Sequence, residues 1–70
     1  MDEQSLEMLY ISVRPYLDHS QVIRDFLDAN ADLGPGDLFA KASEMAASAR
    51  GTERTDYQIL ANAVSKILGQ

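Results

Sequence analysis

Three groupings in this 70-residue chain combine residue types and spacings that chemistry could use. Asp18-His19-Ser20 holds the three types of a nucleophilic hydrolase site. Chain neighbours diverge around a helix start, so these three cannot make the Ser–His–Asp hydrogen-bond relay. Capping of a helix by Asp18 or Ser20 is the expected role, with His19 exposed in the first turn. Asp25, Asp28 and Asp32 recur at three- and four-residue spacing and fall on one stripe of a helix. A carboxylate stripe is either plain solvated surface or a docking strip for a basic partner. Arg50, Arg54 and Gln58 form the third grouping, of types that contact phosphates and base edges.

Other patterns are partial. Asp28-Ala29-Asn30-Ala31-Asp32 has the spacing of the first three ligands of a calcium loop, D-x-[DN]-x-[DN]. Leu33 stands where that loop needs Gly, and Phe39 where it needs a bidentate Glu, so no calcium site is expected. Asp32-Leu33-Gly34-Pro35-Gly36-Asp37-Leu38 is similar to the acyl carrier proteins around their phosphopantetheine-bearing Ser. Asp37 occupies the Ser position, and with it goes the attachment point for a cofactor. Residues 47–51, leading to Tyr57 and Leu60, partly resemble a helix-turn-helix with Gly51 in the turn. Arg50, Thr52, Arg54, Thr55 and Gln58 would then face nucleic acid.

Four helical patterns must position these groups. Leu6, Leu9, Tyr10 and Val13 mark a helix over about 2–14, which Pro15 ends by pushing Arg14 out of the helical region. Val22, Ile23, Phe26, Leu27 and Asn30 mark a second over 19–32, stopped by Gly34-Pro35-Gly36. A third, over 37–50, starts at an Asp37 cap and carries Leu38, Phe39, Ala42, Met45, Ala46 and Ala49 inward. Gly51 is placed to close it in the left-handed conformation. Thr55 with Gln58 reads as a capping box for a fourth, over 55–68, with Tyr57, Leu60, Val64, Ile67 and Leu68 inside. Gly69 ends that helix. No segment alternates polar and apolar residues as a half-buried strand does. The expected fold is all-α: a single compact domain, 1–70, built as a bundle of four short helices.

Composition narrows the function classes. With no Cys, a disulfide framework, a thiolate zinc site and a Cys nucleophile are excluded. One His leaves little for metal ligation or general-base chemistry, so neither enzymatic activity nor a metal or cofactor is expected. The longest apolar run, Met8–Ile11, is far short of the about 20 residues a membrane span needs. Met1-Asp2-Glu3-Gln4 lacks the positive charge that opens a signal peptide, which points to a soluble, cytoplasmic chain. Eleven acids against six bases give a net charge of −5. Residues 1–37 hold eight of those acids and two bases, so the acidity is concentrated in the first half. That balance opposes phosphate binding, which draws its affinity from cationic contacts.

By elimination, the chain is expected to be a small acidic protein-interaction module. It would regulate or inhibit a larger partner, such as a nucleic-acid enzyme, by docking Asp25, Asp28 and Asp32 on a basic surface. The first alternative is a helix-turn-helix-like regulator using Arg50, Arg54 and Gln58 on DNA. The second is a homo-oligomeric structural domain, with a homodimer as its simplest form.

Overall fold

The first helix is started by a side chain. In the computed structural model, which describes residues 1–69, Asp2 is extended and its carboxylate accepts the Ser5 N–H at 2.7 Å. Hydrogen bonding from Ser5, side chain first and backbone second, holds the Asp2 carboxyl below the ordinary carboxylate range. The helix α1 (Glu3–Val13) then buries Leu6, Leu9 and Val13, while Tyr10 is half-buried. Pro15 acts later than expected. Arg14 keeps helical angles (φ −49°, ψ −44°), and Arg14–Tyr16 tighten into a 3-10 turn before Leu17 turns extended. A proline in the first turn costs no hydrogen bond, because its missing donor has no partner there.

The second helix, α2 (Ser20–Ala29), is shorter than the expected 19–32. Asn30 stops it: the Asn30 side-chain amide donates to the Phe26 carbonyl at 2.7 Å, and its own N–H reaches the same carbonyl. Ile23, Phe26 and Leu27 are buried, whereas Val22 is exposed and Asn30 sits at the margin. Neither Asp18 nor Ser20 caps the start. His19 holds the N-cap position without a capping side chain of its own.

Pro35 moves the next boundary forward. The third helix, α3 (Pro35–Ser48), begins two residues before the expected Asp37, with Gly34 extended at the cap and Pro35 in the first turn. Asp37 is therefore an exposed first-turn carboxylate, favourable to the helix dipole but not a cap. Leu38, Ala42 and Ala46 are buried, and Phe39, Met45 and Ala49 pack at the margin of the core.

Two extended residues, Ala49 and Arg50, separate α3 from α4 (Gly51–Ile67). Gly51 has φ +64°, the left-handed angle expected of it, but it opens α4 instead of closing α3. A side chain there would strain the backbone. Thr55 is consequently inside the helix, its hydroxyl donating back to the Gly51 carbonyl at 3.4 Å, and no capping box forms with Gln58. The inner face of α4 also differs. Tyr57, Leu60 and Val64 are buried as expected, but Ile67 and Leu68 are exposed, and Asp56 and Ala61 are buried.

Among the described residues the secondary structure is four α-helices and the 3-10 turn, an all-α helical bundle. Its radius of gyration, 10.7 Å, matches the about 11 Å of a compact 70-residue domain. The long α4 packs against α1, α2 and α3 and forms the centre of the bundle. Ile23, Leu38, Leu60 and Val64 are sealed from solvent, and Phe26 meets Tyr57 edge to face at 5.4 Å. The α3–α4 pairing is the most extensive, with Ala42, Ala46 and Ala61 giving little side-chain bulk to hold the helices apart.

Candidate functional site

One exposed carboxylate of α2, Asp28, joins Glu3 and Glu7 of α1 across a cleft of about 340 Å³, whose walls also include Arg24. Helical spacing places these groups: Arg24 and Asp28 are one turn apart on α2, as Glu3 and Glu7 are on α1. Arg24 Nη1 donates to Glu7 Oε2 at 2.6 Å, and Arg24 Nε lies 3.5 Å from Asp28 Oδ1. The guanidinium carbon also sits 5.1 Å from the centroid of the Tyr10 ring. The hydrogen bond to Glu7 is the main cause of an Arg24 pKa raised above the ordinary value, with the nearby carboxylates adding to it. Arg24 is thus committed to its own surface, spread over two carboxylates and one aromatic face.

The three expected docking residues are all exposed, but they do not share one helix. Asp25 and Asp28 are on α2. Asp32 lies in the turn three residues beyond its end, because Asn30 terminates the helix early. Asp25 Oδ1 accepts from Gln21 Nε2 at 2.9 Å, and Asp28 pairs with Arg24. The acidic region is broader than the stripe read from the sequence: Glu3 and Glu7 extend it onto α1.

The calcium-like and hydrolase-like groupings have other occupations. Asn30 spends its side-chain amide on the α2 terminus. No group of three His, Cys, Asp or Glu among the described residues is arranged to hold a metal ion. The backbone N–H groups of Asp18 and His19 donate to Asp56 Oδ1 and Oδ2 at 3.0 and 2.7 Å. His19 Nε2 lies 2.7 Å from Thr52 Oγ1, so its ring faces α4 and not Ser20.

Arg54 and Gln58 do come together. They line a shallow groove of about 470 Å³ between α3 and α4, opposite Ser43, Ala46 and Ala47. Arg50, at the N-cap of α4, does not line it. The two-residue link and extensive side-by-side packing make α3 and α4 an antiparallel hairpin. A helix-turn-helix instead joins its helices by a 3–4-residue turn and crosses them at about 90–120°.

Two features escape the sequence reading. Asp56 is 1% exposed and occupies the inward stripe of α4 one turn before Leu60. A carboxylate at that register is itself a signal that a buried donor must exist. The other is an apolar seam between α1 and α4, lined by Met8, Tyr16, Ile59 and Ile67. Its trace was the run Met8–Ile11, because four successive apolar residues encircle a helix and one must point outward. Among the described residues, no helix is long and apolar enough to cross a membrane. Compared with family models, curated proteins and solved structures, the chain finds no match in any of the three.

Proposed function

We propose that this chain is a small protein-interaction module that regulates or inhibits a larger partner by covering a basic surface. A surface that a nucleic-acid enzyme uses for DNA or RNA has that chemistry. The observation that carries the reading is that Glu3, Glu7 and Asp28 line one cleft in which Arg24 is already paired, while Asp25 on α2 and Asp32 in the turn after it are exposed. Charge of one sign gathered on one face speeds encounter with a complementary surface and selects against acidic ones. Because these groups stand outside the core, their role can be tested without unfolding the domain. The test is capture of partners by the immobilised chain, compared with the Asp25→Asn/Asp28→Asn/Asp32→Asn variant and identified by mass spectrometry. A partner retained at low salt by the wild type and lost by the variant supports the reading. Equal retention by both contradicts it.

A second reading, DNA binding, is favoured by the placement of Arg54 and Gln58 in one groove. Two phosphate contacts give a salt slope of only about −2, and the net charge of −5 repels the duplex. Fluorescence anisotropy against mixed-sequence duplex separates the two. Submicromolar binding abolished by Arg50→Ala/Arg54→Ala/Gln58→Ala would put DNA first.

A further inference from the structure

We draw no further inference here: the strongest candidate, the apolar groove between α1 and α4 lined by Met8, Tyr16, Ile59 and Ile67, is an unpartnered face, and nothing in the structure shows what covers it.

Discussion

The Asp56 carboxylate accepts the backbone N–H of His19 at 2.7 Å, and that of Asp18 at 3.0 Å, tying the centre of the bundle to the entry of α2. This anchors the two residues that lead into α2 from 37 residues away in the chain. A local Asp18 or Ser20 cap would fix only the helix start. Asp56 also fixes where that start sits on α4, beside the Phe26–Tyr57 contact.

Asp56→Ala should destabilise the domain by about 2–4 kcal/mol, since it strands two backbone donors without acceptors. Asp56→Asn keeps one carbonyl oxygen and should lose about half as much. Asp37→Ala, at an exposed first-turn position, should stay within about 0.5 kcal/mol of wild type. Urea unfolding of the three variants checks the order. Equal stability of Asp56→Ala and Asp37→Ala would show that the Asp56 bonds do not hold the entry of α2 in place.

Phe26→Ala and Leu60→Ala should each cost about 2–5 kcal/mol, the usual range for emptying a buried large apolar site. In a domain of this size that is a large part of the total. Thermal midpoints left unchanged by both would mean the core faces are wrongly assigned.

Tyr57 gives the fold an alkaline limit. Burial first, and the neighbouring Glu53 and Asp56 carboxylates second, raise its phenol above the ordinary value of 10.0. A raised folded-state value means its contribution is complete below pH 10.0 and is lost as pH rises through the folded-state value. Tyr57→Phe should therefore flatten the fall in stability at high pH. An identical alkaline profile in the variant would remove Tyr57 as the cause.

How much of this was legible in the sequence depends on how local its cause is. Leu6, Leu9, Ile23, Phe26, Leu38 and Leu60 announce their faces by spacing alone, and all are buried. Helix ends were harder, because several competing signals sat within a few residues. Pro35 outbids Asp37 for the start of α3, and the Asn30 amide ends α2 before the glycines can. The α4 start moved four residues from Thr55 to Gly51, since a left-handed glycine can begin a helix as well as end one. Of the candidate site, Asp25, Asp28 and Asp32 were legible as exposed groups, but not the addition of Glu3 and Glu7. Bringing α1 beside α2 is a tertiary event, and no spacing within one helix encodes it.

Arg24 offers a test of opposite sign to the loss of carboxylates. Arg24→Gln releases Glu7 and Asp28 from their pairing and makes the face more negative. Association with a basic partner at low salt should then quicken, with helicity retained because Arg24 lies outside the core. A slower rate with intact folding would assign Arg24 a direct contact with the partner instead.

The proposed function is docking of exposed carboxylates on a basic protein surface. Association kinetics with the captured partner, for wild type and Asp25→Asn/Asp28→Asn/Asp32→Asn at two ionic strengths, measure this most directly. The wild-type rate is expected to fall about tenfold from low to physiological salt. The variant should be slower at low salt and converge with wild type once the charges are screened. A triple variant that associates as fast as wild type at low salt would contradict it.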